Sequence, residues 1–151
     1  MERLILIETS TALCSAALAE DGAITSYRES SAPKAHASLT AVFIQEMLSE
    51  KGLTIADCDA VCVSMGPGSY TGLRIGVSTA KGICYGKNIP LIAIPTLKLL
   101  CVKPLLSDDI EDENALLCPM IDARRMEAYT AIYDRALREV RQVQADVIEV
   151  D

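Results

Sequence analysis

The sequence predicts an α/β fold, a mixed sheet with flanking helices, followed by a second, partial domain. Three observations predict it. Residues 4–7 and 14–19 are apolar runs, and Asp21-Gly22, a strong hairpin signal, joins the second run to a third strand over 23–29. Residues 60–63 are another short apolar run, from which a glycine-rich loop leads into a proline-free stretch of helical length, 73–85. A short strand over 90–93 completes strand, helix, strand, the unit that gives a crossover and a parallel pairing.

The run 4–7 reads as a central strand and Glu8-Thr9-Ser10-Thr11 as a polar turn behind it. Such a turn is either solvated or a place where Thr9 and Ser10 accept a phosphate. After a loop over 30–35, residues 36–51 read as a helix stopped by Gly52. Ala37, Ala41, Ile44 and Leu48 form one stripe with Met47 beside it, while Leu39, Val42 and Phe43 fall off that stripe. A helix apolar on more than one side is buried on more than one side, by its own domain or by a partner chain.

The chain is organised around Ser64-Met65-Gly66-Pro67-Gly68-Ser69-Tyr70-Thr71-Gly72-Leu73-Arg74-Ile75-Gly76. Gly66 and Gly68 flank Pro67 and mark a turn in which the backbone comes close to something. Ser69 or Thr71 can cap the helix that follows. Free backbone N–H groups at a helix N-terminus attract anions. Gly66, Gly68, Ser69, Thr71 and Gly72 therefore join Thr9 and Ser10 as candidates for holding a nucleotide phosphate, against a tight strand-to-helix connection. The Gly-Lys-Ser/Thr ending of a P-loop is missing, and the glycine spacing is G-x-G-x-x-x-G, not that of the dinucleotide fingerprint.

Within the helix, Gly72, Gly76 and Ala80 recur every four residues, and Thr79, Gly82 and Gly86 extend the small face. A glycine inside a helix costs about 1 kcal/mol relative to alanine, which close approach of another backbone offsets. The domain's own sheet and a helix of another protein both supply such an approach. Two successive helices with faces of this kind favour an interface made by Leu39, Val42, Phe43, Gly72, Gly76, Thr79 and Ala80.

Residues 95–101 read as a further helix, and the acidic stretch 108–113 as a solvated loop. The expected domains are 1–104 and 105–151. In the second, 115–121 is apolar, Arg124-Arg125-Met126 connects, 127–134 alternates as a half-buried strand, and 140–150 gives one more strand. This part is too short to cover a sheet by itself, and no closing helix precedes Asp151. It reads as truncated or abbreviated.

The net charge of −7 argues against a stand-alone nucleic-acid binder. The imbalance lies in residues 101–151, with 6 basic against 12 acidic groups, whereas residues 1–100 hold 8 against 9. Six cysteines without a C-x-x-C pair read as buried free thiols in a reducing compartment. The chain enters a strand directly and has no apolar run long enough for a bilayer, so a cytoplasmic location is expected. His36 is the lone histidine, and its i+4 position, where a helical metal site needs a second ligand, is Thr40. No metal site and no Ser-His-Asp set is expected. Glu8, Asp122 and Glu127 flank strands and read as surface acids, although a strand-end acid such as Glu8 also suits Mg²⁺–nucleotide chemistry.

The glycine-rich string over 66–76, the opening Leu6-Ile7-Glu8-Thr9-Ser10, the helix start at His36 and Ile121-Asp122-Ala123-Arg124 together resemble the TsaB (YeaZ-like) family. That family serves bacterial tRNA threonylcarbamoyladenosine biosynthesis. The resemblance implies the actin-like, sugar-kinase-like and Hsp70-like ATPase fold. It also implies a non-catalytic subunit, without a cofactor of its own, that activates TsaD as a heterodimer through the two helices. TsaE joins in the ternary complex, tRNA is contacted only indirectly, and the isolated chain forms a homodimer. TsaD carries two metal-binding histidines at i and i+4, where this chain has His36 and Thr40. The first-strand acid of this fold is commonly aspartate and here is Glu8, which weakens a direct Mg²⁺–ATP role. Two rival readings remain. One is an ATPase or phosphotransferase working with the Thr9–Ser10 turn and the 66–72 loop. The other is a peptidase acting on TsaD, for which the sequence offers no protease constellation.

Overall fold

The computed structural model describes residues 1–107 and 110–149. They form two compact units, Met1–Met65 with Ser69–Ile94, and Gly66–Gly68 with Pro95 onward.

The first unit is built on a five-stranded sheet. Its elements are β1 (Arg3–Glu8), β2 (Cys14–Glu20), β3 (Ala23–Ser30), α1 (Ala35–Glu50), β4 (Ala60–Gly66), α2 (Tyr70–Lys87) and β5 (Leu91–Pro95). The strand order is β3-β2-β1-β4-β5. β1 pairs antiparallel with β2 and parallel with β4, placing Ile5 opposite both Leu18 and Val61. Asp21 and Gly22 have φ of 48° and 81°, the paired left-handed residues of a tight hairpin whose twist matches its strands. Alternation along the strands sends Ile5, Ile7, Ala16, Leu18, Val61 and Val63 to one core.

That core is closed by α1 along a stripe that keeps Ile44, Met47 and Leu48 of the expected one but turns toward Thr40 and Phe43 and away from the two alanines. Thr40, Phe43, Ile44, Met47 and Leu48 are buried, whereas Ala37 and Ala41 are exposed. The reason is area. Both stripes have helical spacing, but the one with Phe43 and Met47 removes more apolar surface from water than one with two alanines. The second helix begins three residues before the expected position 73, because Ser69 Oγ accepts the Gly72 N–H at 3.2 Å. It ends on Asn88 with φ 52°.

In the second unit, α3 (Thr96–Leu100) and α4 (Val102–Leu106) precede β6 (Met120–Arg124), β7 (Glu127–Tyr133) and β8 (Glu139–Val147). The sheet is antiparallel in the order β6-β7-β8. Leu97 and Cys101 pack with Ala131 and Tyr133, so α3 belongs to this unit although it precedes residue 105. Of the apolar run 115–121, only Leu117 bridges to Tyr133 before β6 begins. Arg124, Arg125 and Met126 make the β6–β7 turn with φ of 67°, 53° and 61°. Asp108, Asp109 and Val150, assigned above to the acidic loop and the last strand, lie outside the described residues. Among the described residues no helix is long and apolar enough to cross a membrane.

Candidate functional site

The first half of the turn after β1 is not solvated, although Thr11 is exposed. Thr9 is 0% exposed and Ser10 2%. The acid that ends β1 holds this turn: Glu8 Oε1 accepts the Ser10 N–H at 2.7 Å and the Ser10 hydroxyl, and Oε2 accepts the Ser64 hydroxyl from the end of β4. With Ile7 level with Val63 in the parallel ladder, Ser64 falls beside Glu8, and one carboxylate clamps two strand ends. Ser69 N–H closes the far side by donating to Ser10 O at 2.7 Å.

The small face of α2 lies on the same turn. A Cβ built on Gly72 would stand 2.1 Å from the Thr9 carbonyl oxygen, and one on Gly76 2.1 Å from Thr9 Oγ1. The backbone approach inferred from the glycine spacing is therefore made by the chain's own turn. Gly72, Gly76 and Ala80 are buried within the first unit, as is Phe43. Of the other residues nominated for an interface, Val42 is 40% exposed, and Leu39 and Thr79 are half-buried. Thr9 Oγ1 is buried without a hydrogen-bond partner.

The phosphate candidates divide in the same way. Thr9, Ser10 and Gly72 are covered, whereas Ser69 and Thr71 are exposed. The Ser69 hydroxyl is committed to the helix cap. Gly66 and Gly68 belong to the second unit with φ of 111° and 158°, and there Gly66 N–H donates to Thr96 Oγ1 at 3.1 Å.

His36 Nε2 lies 2.8 Å from the Thr11 carbonyl, pinning the β1–β2 loop to the start of α1. At i+4, Thr40 donates its hydroxyl to His36 O at 2.7 Å and meets Cys14 Sγ at 3.3 Å. Among the described residues, no group of three or more His, Cys, Asp and Glu could hold a metal. Asp122 Oδ1 accepts Arg124 N–H at 2.7 Å, a turn contact, and Glu127 is half-buried. All six cysteines are free; burial pushes the thiols of Cys58, Cys62, Cys84 and Cys101 up, leaving them protonated and unreactive.

A groove of about 440 Å³ opens along α1 and α2 at the 3-10 turn Ile55–Asp57. Ala41, Ile44, Leu48, Leu53, Thr79 and Ile83 supply most of its apolar wall. Sequence reasoning found Thr79 but missed Leu53 and Ile83. The signal for Ile83 was its i+4 spacing from Thr79. Leu53, an isolated apolar residue after a helix stop, carried none.

Two hairpins followed by a parallel fourth strand, with a glycine loop leading into a helix seated on the first turn, define an actin-like, sugar-kinase-like and Hsp70-like ATPase-fold domain. A family model described as TsaD, tRNA N6-adenosine threonylcarbamoyltransferase, matches residues 29–149. The chain belongs to that family, and TsaB proteins align with 88 to 95% of its length. The tRNA threonylcarbamoyladenosine biosynthesis protein TsaB of Escherichia coli (strain K12) is 33% identical over 133 residues, 88% of this chain and 55% of that protein. TsaB of Bacillus subtilis (strain 168) is 29% identical over 143 residues, 95% of this chain and 60% of that protein. The structure of YeaZ from Pseudomonas aeruginosa superposes with a TM-score of 0.82 at 26% identity, covering 96% of this chain and 67% of that one. The chain spans 54 to 60% of the length of the curated TsaB relatives it matches.

Proposed function

We propose that this chain acts in tRNA threonylcarbamoyladenosine biosynthesis in the cytoplasm as a TsaB-type, non-catalytic subunit. It docks on a TsaD-type transferase, activates it, and meets a TsaE-type ATPase in the ternary complex. The apolar groove along α1 and α2 is the observation that carries this reading. Val42, Gln45 and Ser49 share one exposed face of α1 by their spacing, and Gln45 and Ser49 line the groove, giving a helical partner a surface to lie along. Leu39, Val42 and Thr79 remain the interface candidates, whereas Phe43, Gly72, Gly76 and Ala80 serve the fold. Without a partner the same surface pairs with a second copy. The non-catalytic role is supported by donor chemistry, since Thr40 stands where a second helical ligand to His36 would be and turns its hydroxyl into its own helix.

The test is co-elution with a TsaD protein. Gly76→Leu, the substitution the glycine spacing suggests, is the wrong probe because it strikes Thr9 inside the unit. Ala41→Glu and Thr79→Glu place a charge on the groove wall without opening the core. Co-elution should be lost in both while the circular dichroism spectrum is unchanged. Complex formation at the parent level in both variants, or steady ATP hydrolysis by the isolated chain, overturns the reading.

A further inference from the structure

The outer face of α2 has a character that the partner groove does not use. Tyr70, Arg74, Ser78, Lys81 and Tyr85 follow at spacings of four, four, three and four, which puts them on one side of the helix. All five are exposed, Tyr70 at 75% and Tyr85 at 92%. Lys87 adds a cation to the last turn off this stripe, and no residue of α2 is acidic. The lack of acid is wider than the helix: between Asp59 and Asp108 the sequence has no Asp or Glu, in a chain of net charge −7. The overall acidity therefore says nothing about this face.

The two aromatic residues are placed as platforms. A tyrosine with most of its ring in water gains nothing for the fold, and two on one cationic stripe need a reason. Tyr70 lies under the Arg74 guanidinium at 5.7 Å from the ring centroid, so the first cation is held over an aromatic face. A depression of about 340 Å³ adjoins them, lined by Tyr70, Thr71, Arg74, Ile75 and Ser78. At 1.5 Å rise per residue, the two rings are about 22 Å apart along the axis, with Arg74 and Lys81 between them. Two cations flanked by two exposed rings suit a strand that lays its phosphates on the cations and stacks a base at each end.

We infer that the outer face of α2 binds single-stranded RNA, with Arg74 and Lys81 on phosphates and Tyr70 and Tyr85 stacking on bases. An acidic protein surface would use the cations but not the open rings. The face lies apart from the groove, and the inference does not depend on the partner reading.

Binding of a short fluorescein-labelled single-stranded RNA to the full chain, read by anisotropy over a salt series, tests it. Arg74→Glu with Lys81→Glu should weaken binding at least ten-fold and reduce the salt slope by about 1.4, since each phosphate contact on a single strand contributes about 0.7. Tyr70→Ala with Tyr85→Ala should weaken binding at least about five-fold with the slope unchanged, the loss of stacked bases. All four side chains are exposed, so the melting curve should not move in either variant. The inference is overturned by a parent chain that does not bind the RNA, or by charge reversal without effect. Tyrosine variants that bind as the parent does also overturn it, and competition by polyglutamate would then assign the stripe to an acidic protein instead.

Discussion

Gly72 and Gly76 make the same demand on paper, yet alanine at the two positions should behave differently. At Gly76 the new methyl would meet Thr9 Oγ1 at 2.1 Å and the Thr9 Cβ and Cγ2 at 3.2 Å. Overpacking of a closed core costs about 1–3 kcal/mol, and a contact this short belongs at the upper end. The helix gains about 1 kcal/mol from losing a glycine, so about 2 kcal/mol of net destabilisation remains. With a urea slope of about 1–3 kcal/mol/M, the midpoint should fall by roughly 1 M, followed by circular dichroism at fixed temperature. Thr9→Ala removes Oγ1 and Cγ2, the first a buried hydroxyl without a partner, and leaves only Cβ at 3.2 Å, so the double variant should recover most of the loss. At Gly72 the obstacle is the Thr9 carbonyl oxygen, also at 2.1 Å, and no side-chain change removes it. Gly72→Ala should cost at least as much and should not be rescued by Thr9→Ala. Rescue at both positions, or a Gly76→Ala midpoint equal to the parent's, would refute the packing of α2 on the first turn.

Other outcomes follow from the same coordinates. Glu8→Ala should destabilise the chain by about 1–3 kcal/mol for each hydroxyl stranded in the interior, because Ser10 and Ser64 are both buried. Glu8→Gln, which keeps an acceptor oxygen, should cost less in the same urea assay. Lys51, then Arg3 and Thr25, hold the Glu20 carboxyl at about 2, below its ordinary 4.5. A depressed carboxylate adds stability above its unfolded value, so that contribution should fade as pH drops from about 4.5 to about 2. Glu20→Gln should flatten this part of an acid titration followed by thermal melting. Asp146, held at about 2 by Arg141, Thr130 and Gln144, should show the same acid limb in the second unit, and Asp146→Asn should remove it.

Much of the fold was legible in the residues because its signals are local. Asp21-Gly22 specifies a hairpin wherever it stands between two strands, and it does so here. Ser69, placed before a helical stretch, caps it. The glycine period in α2 announced a close approach, which Thr9 makes at Gly72 and Gly76, whereas Gly82 and Gly86 meet nothing within 4 Å. The strand alternation over Glu127–Tyr133 holds as far as Thr130 and changes phase at Ala131, where the pairing of β7 with β8 shifts register.

What resisted reading was the identity of the neighbour. Spacing along α2 is the same whether the small face meets a partner or the chain's own turn. Only the fold shows that Thr9, more than sixty positions earlier, fills it. Thr9, Ser10 and Glu8 look like a solvated polar turn because hydrogen bonding between distant residues leaves no period in a sequence. The partner of Glu8, Ser64, is brought beside it by the parallel pairing of β1 with β4. The stripe of α1 was read correctly at Ile44, Met47 and Leu48 but misplaced at Ala37 and Ala41 for a related reason: two faces had helical spacing, and the sheet below selected the larger Phe43. Local chemistry thus set the elements, their caps and their turns. Contacts across long stretches of chain decided which faces close the interior and which remain for other molecules, because burial is settled by the whole packed surface and not by any one segment.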